Sequence, residues 1–389
     1  MINLLLSICD YLFHLIPMNR NIVFFSSFNG LYNDNPKYIS EELHRRYPKV
    51  KIVWLIAERA NKHDLPSYIT EVRNGTIKYV YYKNRAKNLI DNYAGMKYRF
   101  VTKYRIRDYF LKKARQYNYS TWHGTPLKKI GRSFIYKDYL FVSSSTTFVL
   151  NSEYIKNIFQ IDFSNKIPVK LTGSPRNDIL FKKRDEELLC YYKRKLGLMT
   201  DKKIIIYAPT YRSRNTKLDQ GYYSVYLSSE DVRRCLDALK QRFGGDWCFV
   251  YRVHQHVINN VLFEGNNVEI VNGNLHDDMA EYLFVSDALI TDYSGSLFDY
   301  TITKRPCFLY APDYEKYKDE SRGIYLEITH LPYPVAYNSD DLVKIIGMYD
   351  EVETRDKINQ FNNKIGLVDN GNAAAQIVDL MDEKTPFKI

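Results

Sequence analysis

Short apolar runs rich in β-branched and aromatic residues alternate along most of this chain with segments of helical period, and that alternation constrains the fold more than any other feature. Strands that must be buried on both faces read as continuous apolar runs, and parallel strands need long crossovers, so the pattern calls for α/β architecture built from βαβ units. In the first half "NIVFFSS", "KIVWLIA", "YRFVTKY", "YNYSTWH" and "YLFVSSS" read as strands, with "NPKYISEELHRRYP" as a crossover helix. After the charged, helix-like "KRDEELLCYYKRKLGL" the series restarts with "KKIIIYAPT", the helix "SEDVRRCLDALKQRF", and the strands "WCFVYRVH", "VEIVN", "DALITD" and "CFLYAPD". Two doubly wound Rossmann-type domains in series are expected, facing a central cleft of the kind where ligands bind. The expected division is a separate N-terminal helix over 1–20, one domain over 21–180, a second over 200–335, and C-terminal helices over 336–389.

With 389 residues, 45% of them hydrophobic, the chain is long enough for two cores. The five cysteines (Cys9, Cys190, Cys235, Cys248, Cys307) contain no C-x-x-C pair, so neither a disulfide framework nor a zinc site is signalled and a reducing compartment is the default. No stretch has the roughly 18 consecutive apolar residues of a spanning helix. The nearest, "INLLLSICDYLFHLIP", lacks a basic leader and is interrupted by Asp10 and His14. Its polar residues Asn3, Ser7, Asp10 and His14 fall on one helical stripe, which suits a helix lying in a membrane interface and equally a first helix packed on its own domain.

Charge is concentrated in one place. Between Lys97 and Lys137 there are twelve Lys or Arg against the single acid Asp108, a surplus that matches the whole formal net charge of +11. Such a segment favours an acidic partner. The interleaved aromatics Tyr98, Phe100, Tyr104, Tyr109 and Phe110 would also suit single-stranded nucleic acid. No recognised nucleic-acid module accompanies them, so an anionic polymer or lipid head group is the better candidate and no nucleic acid partner is expected.

Inside this segment lies "STWHGTPLKKIG", Ser120 to Gly131. A strand precedes it and a helix is expected after it, which puts His123 where a strand ends and a loop begins. An imidazole there can take a proton near neutral pH, as a hydroxyl nucleophile requires. Gly124 permits an unusual backbone angle or a close ligand, Pro126 suits a helix start, and Lys128 and Lys129 are candidate phosphate contacts. In "TDYSGSLFDY", Asp292 ends a strand while Ser294, Gly295 and Ser296 open a helix whose free amides and hydroxyls could bind phosphate. Ser294 can equally cap that helix. Asp299, one turn in, could hold a ribose, a glycerol hydroxyl or an arginine.

Taken in order, "DNPKYISEEL", "WHGTPLKKIG", "LTGSPRNDIL", "YAPTYR", "YRVHQH", "ITDYSGSLFDY", "KRPCFLYAPD" with "SRGIY", and "DNGNAAAQIVDLM" resemble the CDP-glycerol glycerophosphotransferase family, the teichoic acid primases and polymerases of bacterial envelopes. The resemblance covers nearly the whole chain. It implies a GT-B-like pair of Rossmann-type domains, with CDP-glycerol or a similar CDP-polyol held by the C-terminal half and a membrane-linked anionic glycan acceptor by the N-terminal half. His123 would then be the base that deprotonates the acceptor hydroxyl, which attacks the phosphorus bearing glycerol and releases CMP. His254, with Arg212 and Arg252, would stabilise the departing CMP, and Arg176 and Arg322 would be further substrate contacts. The scheme requires no metal and no cofactor. It places the protein peripherally on the cytoplasmic face of the cell membrane, on an anionic lipid surface, in the synthesis of teichoic acid or capsule.

Gln255 stands where the family usually has proline, which leaves the backbone after His254 less constrained. Two other readings fit the same residues: a GT-B glycosyltransferase using a nucleotide sugar, and a non-catalytic envelope-assembly protein that binds an anionic polymer.

Overall fold

The computed structural model describes residues 2–28, 30–58, 65–92, 116–133, 146–163, 166, 168–210, 227–252, 270–320 and 323–388. The chain forms two compact units: residues 1–123, 140–178 and 368–389 make the first, and 124–139 and 179–367 the second.

Unit 1 opens with helix α1 (Ile2–Leu15), followed by strand β1 (Asn19–Ser26), helix α2 (Asp34–Arg46), β2 (Lys51–Leu55), β3 (Thr70–Val72), helix α3 (Ile77–Arg85), β4 (Ala86–Asp91), β5 (Tyr117–Ser120), β6 (Thr146–Leu150) and β7 (Val169–Leu171). Its sheet has the order β3-β2-β1-β4-β5-β6-β7, with every pairing parallel. The two-residue period of β1 sorts its side chains between two cores. Val23 and Phe25 join Ile39, Trp54 and Ile90 on one face, with Phe25 stacked on Trp54 at 5.1 Å, whereas Ile22 and Phe24 join Val53, Val72 and Leu89 on the other.

Unit 2 contains β8 (Lys203–Ala208), β9 (Trp247–Tyr251), β10 (Ile270–Asn272), β11 (Ala288–Thr291), β12 (Cys307–Tyr310) and β13 (Val335–Ala336), ordered β10-β9-β8-β11-β12-β13 and again all parallel. Ile204, Ile205 and Ile206 of β8 are fully buried, as the continuous apolar run requires. The helix Ser229–Phe243 starts at a capping box in which Ser228 and Asp231 satisfy each other's backbone amides, and it packs Val232, Cys235 and Leu239 on the sheet.

The units are not the continuous blocks that the sequence suggested. Residues 124–139, downstream of His123, belong to unit 2, and the C-terminal helices divide between the units. The helix Ser339–Gly347 buries Leu342 and Ile346 in unit 2, whereas Ala373–Lys384 buries Ile377, Val378 and Met381 in the core of unit 1. The reason is local. Asp178 caps the helix Ala373–Lys384, accepting from the amides of Ala373 and Ala374 at 2.9 Å each, and Asp369 accepts from the amide of Ser174 at 2.7 Å. The stretches "LTGSPRNDIL" and "DNGNAAAQIVDLM" thus fasten one another. Among the described residues no helix is long and apolar enough to cross a membrane.

Candidate active site

In both sheets the strand order reverses beside the first strand, between β1 and β4 in unit 1 and between β8 and β11 in unit 2. Doubly wound sheets bind ligands at the carboxyl ends of the strands at such a point. The polar residues that the motifs supply collect at these two ends.

In unit 1 the chain leaves β1 at Ser27, β4 at Asn92, and β5 just before Trp122 and His123. His123 is half-buried, and its Nδ1 lies 2.9 Å from the backbone oxygen of Asn92. A carbonyl only accepts, so Nδ1 carries a proton and donates it, and any further proton has to be taken up at Nε2. The ring is clamped by Trp122, stacked at 4.3 Å, and by the edge of Phe28 at 5.7 Å. Trp122 and Phe28 both have left-handed backbone (φ +53° and +41°), a strained choice for aromatic residues that collects around this one imidazole. Gly124, with φ +133°, occupies a conformation that only glycine takes readily.

A buried polar network holds Asn92 in turn. Its side-chain amide donates to Asp34 at 2.6 Å and to Ser27 at 3.0 Å, while its side-chain oxygen accepts from the amide of Phe28 at 3.0 Å. The other carboxylate oxygen of Asp34 accepts from Arg176 at 2.8 Å, and both members of this ion pair are buried. Asn35 closes the ring, accepting from the amide of Arg176 at 3.0 Å and donating to the backbone oxygen of Trp122 at 3.2 Å. Asp34, Asn35, Asn92 and Arg176 therefore hold the Trp122 carbonyl just before His123 and the Asn92 loop whose carbonyl meets its ring. Sequence reasoning named Arg176 as a substrate contact and assigned nothing to the other three. Asp34 and Asn35 stood inside the noticed "DNPKYISEEL", whereas Asn92 carries no sequence signal.

In unit 2, Asp292 accepts from the amides of Thr210 at 2.8 Å and Tyr293 at 2.6 Å, joining the loops that leave β8 and β11. The helix that follows is short, Ser296–Tyr300, with Gly295 as its cap. Its first amides are already engaged: Ser296 donates to the Ser294 hydroxyl at 3.3 Å, Leu297 to the Ser294 carbonyl at 3.3 Å, and Phe298 to the Gly295 carbonyl at 3.1 Å. What this turn offers a ligand is therefore chiefly its hydroxyls, with Ser294 and Ser296 2.9 Å apart. Asp299, in the same short helix, is buried.

Among the described residues 124–133 the expected helix does not form; there is a single 3-10 turn at Gly131–Ser133, and the stretch pairs with 323–325: Tyr325 donates to the carbonyl of Leu127 at 2.8 Å, and Lys129 donates to that of Gly323 at 3.1 Å. Gly124 and Thr125 pack on Gly295, where an added Cβ would meet the Thr125 oxygen at 3.1 Å. The Lys128 ammonium lies 5.7 Å over the ring of Tyr317, which stacks at 4.0 Å on Tyr293, the neighbour of Asp292. Lys128, Asp292, Ser294, Gly295 and Ser296 are thus brought together in unit 2.

Arg252 is placed differently. Its guanidinium donates to the carbonyls of Gly273, His276 and Asp277 at 2.5, 2.8 and 3.1 Å and lies 4.4 Å over the ring of Tyr282. Burial pulls it below the ordinary range of arginine, though still charged at neutral pH. These bonds hold the loop after β10. The sequence assignments to Arg212, His254 and Arg322 lie outside the described residues, as does most of the basic segment 97–137.

Over residues 9–383 the chain matches the family described as CDP-Glycerol:Poly(glycerophosphate) glycerophosphotransferase. It is 31% identical over 382 residues to a teichoic acid glycerol-phosphate transferase of Staphylococcus aureus, covering 92% of each chain. A teichoic acid poly(glycerol phosphate) polymerase of Staphylococcus epidermidis is 30% identical over 385 residues, 92% of this chain but 50% of the other, so this chain spans half the length of that relative. Among solved structures it is similar to the wall teichoic acid polymerase TagF, with a TM-score of 0.80 at 27% identity over 98% of this chain and 93% of the other. Two parallel-sheet Rossmann-type domains of GT-B-like kind, carrying this ordered set of motifs, make the chain a member of the CDP-glycerol:poly(glycerophosphate) glycerophosphotransferase family of enzymes.

Proposed function

We propose that this protein transfers glycerol phosphate from CDP-glycerol to a hydroxyl of a membrane-linked acceptor in wall teichoic acid synthesis. Unit 2 holds the donor and unit 1 supplies the base. The acceptor hydroxyl gives its proton to Nε2 of His123 as its oxygen bonds to the phosphorus bearing glycerol. The bond from that phosphorus to the bridging oxygen breaks, and CMP leaves with the electron pair. The observation that supports this reading is the Nδ1–H bond from His123 to the Asn92 carbonyl at the switch point of unit 1, which assigns proton uptake to Nε2. A base of this kind contributes roughly 10²–10⁴-fold.

In unit 2, Lys128 and the hydroxyls of Ser294 and Ser296 contact the donor phosphates, and Arg212, His254 and Arg322 complete the neutralisation of the leaving group. Asp292 and Arg252 serve this site by holding the loops after β8, β11 and β10, and Arg176 serves His123 through Asp34. The protein works peripherally at the cytoplasmic face of the membrane, where its acceptor is anchored. Incubation of the protein and membranes with labelled CDP-glycerol, beside labelled nucleotide sugars, tests the reading. CMP release and label transfer from CDP-glycerol alone are expected, and transfer from a nucleotide sugar would overturn it.

A further inference from the structure

Trp122 and His123 are neighbours in sequence, and neighbours on extended chain ordinarily send their side chains to opposite sides. Here the two rings overlap instead, with centroids 4.3 Å apart and planes 30° from parallel. The left-handed backbone of Trp122, with φ +53°, breaks the alternation just past the end of β5 and lets the indole lie on the imidazole. A backbone outlier of this kind persists only where its surroundings hold it. Phe159 and Phe163 meet the indole in T-shaped contacts at 5.1 and 5.7 Å, and Phe148 of β6 packs on Phe159 at 4.7 Å. All three phenylalanines are buried, so they form a fixed wall behind the stack.

The face of an indole is the best surface that an aromatic side chain offers to a cation, and its reach is about 6 Å from the ring centre. A base that takes up a proton becomes a cation. What Nδ1 of His123 meets is the carbonyl of Asn92, a dipole rather than a full charge. The ring face, by contrast, lies directly against Trp122.

We propose that the indole face of Trp122 stabilises the imidazolium that His123 becomes as it takes the acceptor proton. The O–H bond of the acceptor breaks and an N–H bond forms at Nε2. The electron pair stays on the oxygen that bonds to phosphorus, and the positive charge left on the imidazole is held against the indole. Trp122 thus does for His123 what a buried carboxylate does for the histidine of a serine protease triad, while adding no negative charge beside a phosphate-bearing donor. It acts through His123 and is a positioning residue. The inference rests on the reading of His123 as the base. Cation–π contacts of this kind shift an equilibrium by roughly 2- to 30-fold.

The test is an isosteric series in the full chain, with mono-, di- and trifluorotryptophan placed at position 122 alone. Fluorine withdraws electron density from the ring face and leaves its shape nearly unchanged. The charged groups on the surrounding elements are Asp34 of α2 with its partner Arg176, Asp91 of β4, and Asp162 of the helix Glu153–Asp162. They are the same in every member, so their fields cancel in the comparison. CMP release from CDP-glycerol with acceptor present is followed against pH, beside melting temperature and donor affinity. With each fluorine the rising limb of the profile should move to lower pH, by about 0.3–1.5 over the series, because the charged ring loses its support. Turnover on the plateau should fall by a smaller factor, since the proton is only partly transferred in the transition state. Melting and donor affinity should not change. Titration of the His123 imidazole followed by NMR should show the same downward movement without turnover. A series that is flat in both the profile and the titration would overturn the role of Trp122. His123→Ala in the same assay separates the two claims: normal turnover would overturn the base reading itself, whereas lost turnover beside a flat series would overturn the indole contribution alone.

Discussion

Removing Arg176 tests whether the loop beneath His123 is held by a buried charge pair. At 2.8 Å the Arg176–Asp34 pair attracts by about 6 kcal/mol at an effective dielectric constant of about 20, and part of that offsets the desolvation of two buried ions. Arg176→Ala strands the Asp34 carboxylate in a buried site, and breaking a buried pair in this way typically costs roughly 3–5 kcal/mol. For a unit of this size the melting temperature should fall by roughly 6–20 °C. Asp34→Asn/Arg176→Met, which removes both charges, should recover much of the loss. Thermal melts by circular dichroism read both effects. An Arg176→Ala protein with unchanged melting but weakened CDP-glycerol binding would refute the buried-pair account and make Arg176 a substrate contact.

Three further outcomes are expected. Gly295→Ala drives a Cβ against the Thr125 oxygen at 3.1 Å, so turnover with CDP-glycerol should fall at least tenfold while melting shifts by only a few degrees; unchanged turnover would mean that this packing does not matter to the site. Ile377→Ala, in the helix that returns to unit 1, should cost about 2–5 kcal/mol in denaturant unfolding, and a negligible cost would contradict its place in that core. Burial pushes the Cys235 thiol up to about 12 and Cys307 well above its ordinary value, so at pH 8 only the exposed Cys190 and half-buried Cys9 should react with a thiol reagent, and all five should react after denaturation. Rapid reaction of all five in the native protein would refute that burial.

Much of the fold was legible because parallel strands buried on both faces must be apolar throughout. Strands β8, β9, β11 and β12 lie within the predicted runs, and the helix Ser229–Phe243 matches its predicted residues because a capping box marks its start. The central strand β4, "AKNLID", went unread. Lys87, Asn88 and Asp91 break its apolar run, and two of those polar groups have buried work: Asn88 donates to Thr385, and Asp91 accepts from Ser120. Strands β3, β7 and β13, of two or three residues, are too short for any period to register. The predicted strands "YRFVTKY" and "YLFVSSS" lie outside the described residues. Nor could the pattern show that the last helix crosses back to unit 1, since an apolar stripe does not say which core it fills. At the site, His123 was legible from its motif, but the partner that fixes its tautomer was not. That partner is the backbone carbonyl of Asn92, a group every residue possesses, brought there only by folding.

The central claim is that His123 performs the proton transfer without holding the donor. The most direct measurement takes one preparation of His123→Ala and records its melting temperature, its CDP-glycerol affinity by calorimetry, and its rate of CMP release with acceptor present. The account predicts near-native melting, donor affinity within about twofold of wild type, and turnover reduced by roughly 10²–10⁴-fold. A folded variant that turns over at the normal rate, or one that loses donor affinity in proportion to turnover, would contradict it.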